Sequence, residues 1–208
     1  MKILLIATHN PAKIKELALG LKPLREKGIK LVTLEDLGIT DEPDETGNTF
    51  EDNALLKAKY YSLLTRLPTI SDDGGIVIEP LSGEPGVKSK MWLGRPATDE
   101  ELIEYTLKRL KGKANRKAYL ETCICFYDLR NDNVAQRTTF AETERIYGRI
   151  ADAVNDKRSK GFPFRALFIV DEYNKYYDEL TGQEHESINH RLKALKRLAT
   201  KIEQYLLQ

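Results

Sequence analysis

Residues 2–13 read Lys-Ile-Leu-Leu-Ile-Ala-Thr-His-Asn-Pro-Ala-Lys, which predicts a strand that leads directly into a helix. The apolar run at 2–7 is typical of a strand that is covered on both faces. Asn10 is a suitable N-cap, and Pro11 falls in the first turn, where a helix tolerates proline best. Apolar residues then recur at helical spacing, at Ile14, Leu17, Ala18 and Leu21. A strand–turn–helix unit of this kind predicts an α/β fold.

The composition is that of a globular protein. Among 208 residues, 41% are hydrophobic and 31% are charged, and a chain of this length needs no disulfides to bury a core. Lysine and arginine number 33 against 32 aspartates and glutamates, so the net charge is only +1. This balance argues against a protein that binds nucleic acid or membranes through a general electrostatic field, and we expect neither as a partner.

The N-terminal apolar run is too short for a signal peptide, and no apolar run reaches the roughly 18 residues of a membrane span. We therefore expect a cytoplasmic protein. Cys123 and Cys125 fit this expectation, because alternation on a strand points both to one face and no further cysteine pair completes a zinc site. They are predicted to be buried strand residues in a reducing compartment.

Strands and helices continue to alternate along the rest of the chain. Asn48 with Glu51 and Thr49 with Asp52 both have the spacing of a capping box, so the second helix starts at one or the other. In chain order, the further predicted elements are a strand at 31–34, a helix from 48 or 49 to Pro68, a strand at 69–71, an extended segment at 76–78, a helix at 98–110, strands at 117–129 and 134–147 joined by a turn at 130–133, a strand at 161–170, and a helix through Leu192, Leu195, Leu198, Ile202 and Tyr205.

The helix that starts after Asn10 is the first candidate site. A helix N-terminus presents unpaired backbone N–H groups and a partial positive charge, which both favour a phosphate, and Lys13 adds a full charge. The glycine-rich pattern of a P-loop is absent. The alternative is an ordinary capped helix with a surface lysine.

The segment Asp72-Asp73-Gly74-Gly75 is the second candidate site. Paired carboxylates suit Mg²⁺, which binds one or two of them together with phosphate oxygens and water. The glycines would let the backbone approach a ligand closely. The alternative is a solvent-exposed turn, for which this composition is equally suitable.

Other polar groups are less informative alone. The acidic loop 41–45, with Asp44 and Glu45, could supply a metal ligand or be a solvated charge run. Asn53 and Lys57 share one helix face. His190 and Arg191 could bind an anion or a base edge, or simply begin a helix. Neither His9 nor His185 has metal-ligand spacing with a partner.

Five motifs nevertheless occur in the order and spacing of one family. They are Thr-His-Asn-Pro-Ala-Lys at 8–13, 45–54 with Lys57 and Ala58, Ser-Asp-Asp-Gly-Gly at 71–75, Gly-Glu-Pro-Gly-Val-Lys-Ser at 83–89, and His190-Arg191 with 193–195. On these residues the chain resembles the inosine triphosphate pyrophosphatases over nearly its full length.

The resemblance implies an α/β fold with two lobes and a mixed sheet, with residues 1–208 as a single domain and the active site in a cleft between the lobes. It also implies a homodimer. The implied reaction is Mg²⁺-dependent hydrolysis of non-standard purine nucleoside triphosphates (ITP, dITP and XTP) to the monophosphate and pyrophosphate.

The same resemblance implies roles for individual residues. The triphosphate would be held by Thr8, His9, Asn10, Pro11, Ala12, Lys13 and Lys57. Asp73 with Glu45 or Asp44 would bind Mg²⁺, and Asp73 would also be the base that activates water, with Asp72 in support. The remaining substrate-binding positions would be Asn53, Gly74, Phe162, Pro163, Phe164, Arg165, His185, His190 and Arg191.

This chain departs from the family pattern mainly where the base is read. Gly74 stands where the family has serine, Phe164 where it has tyrosine, Arg165 where it has aspartate, His185 where it has lysine, and Asn189 where it has serine. Arg165 reverses a charge and replaces an acceptor with a fork of donors. Two alternatives therefore stay open: a pyrophosphatase with changed base preference, and a nucleotide-binding protein without turnover.

Overall fold

The computed structural model describes residues 2–129 and 137–207 and contains one mixed seven-stranded sheet. The strands are β1 (Ile3–Ile6), β2 (Lys30–Thr33), β3 (Thr69–Ile78), β4 (Lys117–Asp128), β5 (Thr138–Ile150), β6 (Phe168–Val170) and β7 (Lys175–Tyr176). Their order in the sheet is β2-β1-β3-β4-β5-β6-β7. β1 is parallel to both β2 and β3, whereas β6 is antiparallel to both β5 and β7.

Six helices accompany the sheet in the described part of the chain. They are α1 (Pro11–Gly20), α2 (Lys22–Glu26), α3 (Phe50–Thr65), α4 (Asp99–Leu110), α5 (Gly182–Ile188) and α6 (His190–Leu207). The predicted α/β class is confirmed. Within residues 2–129 and 137–207, no helix has the length and apolar character needed to cross a membrane.

The first of two compact units comprises the described parts of residues 1–73, 122–144 and 190–208. One face of β1 packs in a buried apolar cluster with α1 and α6, which includes Leu4, Ile6, Leu17, Leu195 and Leu198. The other face packs in a second cluster, which includes Leu5, Ala7, Val32, Leu34 and Tyr61. Both faces of β1 are therefore covered, as its continuous apolar sequence predicted.

The second unit comprises residues 74–121 and 145–189. Its core joins the end of β3, helix α4 and β6, and includes Ile76, Ile78, Leu102, Ile103, Leu110, Phe168 and Val170. Helix α4 begins with a capping box, in which Thr98 and Glu101 exchange side-chain and backbone hydrogen bonds. That residues 1–208 form a single domain stays a prediction.

The aspartate pair lies inside a strand, so the predicted strand end at residue 71 is wrong. β3 runs without a break from Thr69 to Ile78, and Asp72 and Asp73 lie in its middle. Asp72 is completely buried and Asp73 is 7% exposed, which rules out the solvent-exposed turn. The strand continues because Ile76 and Ile78 supply buried apolar side chains that a turn would leave in water.

Several other elements differ from the sequence prediction, among them β7, which was not predicted, and β5, which ends at Ile150 rather than at 147. Only Phe168–Val170 of the predicted strand at 161–170 is extended, and Pro163–Ala166 is a 3₁₀ turn because proline lacks the N–H group that a ladder needs. The short helices α2 and α5 were not predicted. The predicted turn at 130–133 and the start of the strand at 134 lie outside the described residues.

Cys123 and Cys125 lie in β4 and are buried, as predicted, and both are free thiols. Their Sγ atoms are 4.0 Å apart on the same face of the strand. The hydrogen bond with Cys123 and burial together raise the pKa of the Cys125 thiol. The Cys125 thiol is therefore held in the protonated form within the sheet.

Candidate functional site

The start of α1 is closed by Asn10, whose Oδ1 atom accepts the backbone N–H groups of Ala12 at 2.9 Å and Lys13 at 3.3 Å. The backbone N–H of Asn10 in turn donates to Oγ1 of Thr8 at 3.2 Å. Asn10 is thus the N-cap that the sequence predicted. However, the predicted phosphate site relied on unpaired N–H groups at this helix start, and the structure bonds those of residues 12 and 13 to the Asn10 side chain.

Helix α3 carries the second group of site residues. It begins at Thr49, with Asp52 completing the capping box, so the alternative start at Asn48 is wrong. Oδ1 of Asn53 accepts the backbone N–H of Gly47 at 2.7 Å, which ties the acidic loop to the helix. A side chain at Gly47 would not fit, because its Cβ atom would lie 2.5 Å from Cβ of Asp52.

Two carboxylates face the ammonium group of Lys57. Its Nζ atom lies 2.5 Å from Oε1 of Glu45 and 3.7 Å from Oδ1 of Asp73. Nδ2 of Asn53 donates to the other oxygen of Asp73 at 3.2 Å. The acidic loop, α3 and β3 therefore converge at one point, although Asn53, Lys57 and Asp73 are all buried.

Burial and charge act against each other at this point. Burial lowers the pKa of Lys57, but Asp73 and Glu45 outweigh it, and the pKa of the ammonium is raised. For Asp73 burial prevails over the attraction of Lys57 and Lys13, and the pKa of its carboxyl group is raised. The lysine therefore stays charged, and Asp73 is the more basic of the two adjacent aspartates.

Glu45 and Asp73 have the donor chemistry for a hard divalent cation. They are carboxylates brought to the same cationic group, and Mg²⁺ prefers such oxygen ligands together with phosphate oxygens. Asp44 is exposed, so Glu45 fits this role better. Within the described residues, no group of three His, Cys, Asp or Glu side chains forms a complete metal site.

Asp72 points to a different set of cations. Its Oδ2 atom lies 3.2 Å from Nζ of Lys13 and accepts Nε of Arg191 at 3.1 Å and Nη2 at 3.0 Å. Burial would raise the pKa of Asp72, but Lys13 and Arg191 lower it well below its usual range. Its Oδ1 atom is buried and has no hydrogen-bond partner in the described part of the chain.

Arg191 lies at the start of α6 and is only 3% exposed. Besides Asp72, it donates from Nη1 to Oε2 of Glu16 on α1 at 2.5 Å. The adjacent His190 is also buried. The alternative of a solvated helix start for these two residues is therefore wrong.

The segment from Phe162 to Arg165, which departs from the family pattern, belongs to the second unit. The guanidinium carbon of Arg165 lies 3.6 Å from the ring centroid of Phe162 and 4.7 Å from that of Tyr177. Both rings thus cover the cation, which is 7% exposed. The ring of His185 also contacts Tyr177, edge to face at 5.1 Å. Phe164 is buried, 6.4 Å from the ring of Trp92.

The structure therefore brings together seven of the predicted polar residues, in two groups within the first unit. One group is Glu45, Asn53, Lys57 and Asp73, and the other is Lys13, Asp72 and Arg191. Pro163 and Gly74, in contrast, belong to the second unit. Sequence reasoning missed Glu16 and Tyr177. Glu16 could have been noticed as an acidic residue one helical turn after Lys13, whereas nothing in the sequence pointed to Tyr177.

Comparison with known proteins gives consistent matches. The model of the Ham1 family matches residues 4–201. The dITP/XTP pyrophosphatase of Bacillus subtilis strain 168 is 35% identical over 207 residues, which cover 98% of each chain. That of Leptospira interrogans serovar Lai is 35% identical over 195 residues, 94% of each chain. A HAM1 protein from Coxiella burnetii superimposes with a TM-score of 0.84 at 30% identity, over 98% of this chain and 100% of that one.

Proposed function

Because the chain belongs to the Ham1 family, we propose that it hydrolyses the non-standard purine nucleoside triphosphates ITP, dITP and XTP to the monophosphate and pyrophosphate. The resemblance to inosine triphosphate pyrophosphatases, drawn from five motifs, is in agreement, as are the names of the relatives. The observation that carries the proposal is the convergence of Glu45 and Asp73 on Lys57. Carboxylates beside a buried lysine are what a metal–triphosphate complex needs.

Mg²⁺ is the proposed cofactor, and Glu45 with Asp73 would hold it. When bound, it would neutralise charge on the phosphate oxygens as the anhydride bond breaks. Lys57 carries the only positive charge that contacts both carboxylates among the described residues. Lys57 can shift from these carboxylates to a phosphate oxygen, because its long side chain is flexible.

The triphosphate would lie against the start of α1 and beside Lys57. Lys13 supplies a charged group there, and the helix dipole adds a partial positive charge. Asn10 already binds the N–H groups of residues 12 and 13, so the cation contributes more than the backbone does. Thr8 and His9, with Pro11 and Ala12, would form the surrounding surface.

Asp73, rather than Asp72, is the proposed base for the attacking water. Asp72 shares one oxygen among three N–H donors on Lys13 and Arg191, which makes it a weak proton acceptor. Asp73 is held by Asn53 and lies 3.7 Å from one ammonium group. General-base catalysis by a positioned carboxylate contributes about 10²–10⁴-fold to a rate.

Base recognition is proposed for the segment Phe162, Pro163, Phe164 and Arg165, together with Gly74, His185 and His190. A second candidate function, a pyrophosphatase with changed base preference, is favoured by Arg165. The rings of Phe162 and Tyr177 lie against its guanidinium, whose N–H donors form a planar fork. Arginine donates well to the O6 and N7 acceptors, which GTP shares with ITP and XTP, so the changed preference would extend to GTP, whereas an aspartate there would accept instead.

A homodimer and a cytoplasmic location are also proposed, on the strength of the family resemblance. Analytical ultracentrifugation of the full chain tests the first. A species with twice the mass of the chain would support the dimer, and a monomer at micromolar concentration would exclude it.

The reaction is tested by pyrophosphate release with Mg²⁺ from ITP, XTP, dITP, dUTP and the four common nucleoside triphosphates. Turnover of ITP or XTP that disappears in Asp73→Asn, but persists in the exposed control Asp36→Asn, would support the proposal. Preferential turnover of a different nucleotide would favour the changed base preference. Binding without turnover would favour the non-hydrolysing nucleotide-binding protein.

A further inference from the structure

Four charged side chains of alternating sign form a continuous row of ion pairs in the first unit. In order they are Glu16, Arg191, Asp72 and Lys13. The two outer residues lie one turn apart on α1, while Arg191 begins α6 and Asp72 lies in the middle of β3. The charges sum to zero, which offsets the cost of burying the two inner residues, Asp72 and Arg191, between the partly exposed Glu16 and Lys13.

The guanidinium group fixes this arrangement. Nε and Nη2 of Arg191 both donate to Oδ2 of Asp72, and Nη1 donates to Glu16. A fork with three occupied nitrogens cannot rotate without breaking several charge-assisted hydrogen bonds. Asp72 is therefore held in one orientation, with the same Oδ2 atom 3.2 Å from the ammonium of Lys13.

We infer that Arg191 is a positioning residue for Lys13, and that it acts through Asp72. Arg191 fixes the carboxylate, and the carboxylate holds the Lys13 ammonium at the start of α1, where the proposed function places the triphosphate. The inference rests on that proposed function. It gives Arg191 a role other than the contact with the base edge that the family resemblance implies.

Charge balance explains why the arginine is needed. Asp72 is completely buried, so its negative charge must be compensated locally. With Arg191 present, two cations share this charge, and Lys13 stays available to a phosphate. Without it, Lys13 alone would compensate Asp72 and would bind phosphate less well. Lysine cannot reproduce the fork, because its charge is a single point on a flexible stem.

A double-mutant cycle between Arg191→Lys and Lys13→Met tests the coupling. In the wild-type background, Arg191→Lys should raise KM for ITP about tenfold, with a smaller change in kcat. In the Lys13→Met background it should change KM less than about twofold, because the residue through which it acts is gone. The ratio of kcat/KM for ITP to that for GTP should stay within about twofold, since Arg191 does not read the base in this scheme.

Arg116→Lys is the matched control. Its guanidinium donates to the carbonyl groups of Ile150 and Leu110 and has no contact with the site. It should lower the free energy of unfolding without raising KM in either background. If the effects of Arg191→Lys and Lys13→Met on KM are additive, or if the ITP-to-GTP ratio changes, the inference is overturned.

Two further measurements keep the outcome decisive. Should Arg191→Lys fail to fold, Asp72→Asn replaces it in the cycle, with the same non-additivity expected. Should the wild-type protein hydrolyse no nucleotide, the proposed function fails, and binding of inorganic tripolyphosphate by calorimetry tests the inference alone. Arg191→Lys should then weaken tripolyphosphate binding about tenfold only when Lys13 is present, and equal weakening in both backgrounds would contradict it.

Discussion

Asn53 and Asp73 are joined by a hydrogen bond of 3.2 Å, in which Nδ2 of the amide donates to Oδ2 of the carboxylate. The orientation of the amide is fixed independently, because its oxygen accepts the backbone N–H of Gly47 at 2.7 Å. A single side chain therefore links the acidic loop that carries Glu45 to the proposed catalytic strand.

This link predicts the effect of Asn53→Asp. The new carboxylate still accepts from Gly47, but it loses the donor and places a second negative charge beside Asp73. We expect the free energy of unfolding to fall by about 2 kcal/mol and kcat to fall about 100-fold. Urea unfolding and pyrophosphate release measure the two quantities. In the exposed control Asn115→Asp, both should change little, and an equal loss there would refute the explanation.

Gly47→Ala is expected to disturb the same loop for a steric reason. The added Cβ atom would lie 2.6 Å from Oδ1 of Asn53 and 2.5 Å from Cβ of Asp52, so the loop must move. The free energy of unfolding should fall by about 1–3 kcal/mol. Gly182→Ala is the matched control, because nothing lies within 4 Å of its Cβ position. Urea unfolding that finds the two variants equally stable would contradict the prediction.

The Mg²⁺ dependence of two variants decides whether Glu45 or Asp44 binds the metal. Chelation with EDTA should abolish pyrophosphate release, and added Mg²⁺ should restore it. Glu45→Gln should raise the Mg²⁺ concentration for half-maximal activity about 10–100-fold, since one carboxylate ligand is lost. Asp44→Asn should change it less, because that side chain is exposed. A larger effect from Asp44→Asn would exchange the two assignments.

Arg165→Asp should change which base is preferred and leave the phosphate chemistry intact. The substitution replaces N–H donors with acceptors, so the ratio of kcat/KM for ITP to that for ATP should shift about tenfold or more. The Mg²⁺ requirement should stay the same. Arg158→Asp makes an equal change of charge at an exposed position and should leave the ratio unaltered. Strict preference for ITP and XTP in both forms would exclude a specificity role for Arg165.

Acid should weaken the start of α4 in a defined pH range. The hydrogen bond from Arg95 and that from the backbone of Thr98 lower the pKa of Glu101 to about 2. Because this value lies below that of the unfolded chain, the contribution is complete above about pH 4.3 and is lost as the pH falls towards 2. NMR titration of the Glu101 carboxyl carbon should give a midpoint near 2, and Arg95→Ala should move it upwards. An unchanged midpoint in Arg95→Ala would disprove the assigned cause.

Local signals predicted the parts of the site that local chemistry determines. Asn10 with Pro11, and Thr49 with Asp52, were recognisable because a helix start satisfies its own N–H groups within a few residues. The sequence prediction ended the strand before Asp72 and Asp73, since a run of Asp and Gly favours a turn whenever tertiary packing is not considered.

The ion pairs could not be predicted in the same way. Glu16 and Arg191 are 175 residues apart in the chain. The contact between Lys57 and Glu45 depends on the path that the acidic loop takes, which the sequence does not reveal. The aromatic cover of Arg165 by Tyr177 likewise depends on how distant segments fold together. Motif order indicated the family, but it could not show that Arg191 faces Asp72.

The two thiols of β4 provide a built-in reporter of local opening. Cys123 and Cys125 are both completely buried and lie on the strand whose Thr122 side chain donates to the backbone oxygen of Asp73. A thiol reagent can reach them only after β4 has separated from its neighbours. The rate at which the folded protein is labelled therefore measures how often the strand behind the aspartate pair comes apart, without any change to the amino-acid sequence.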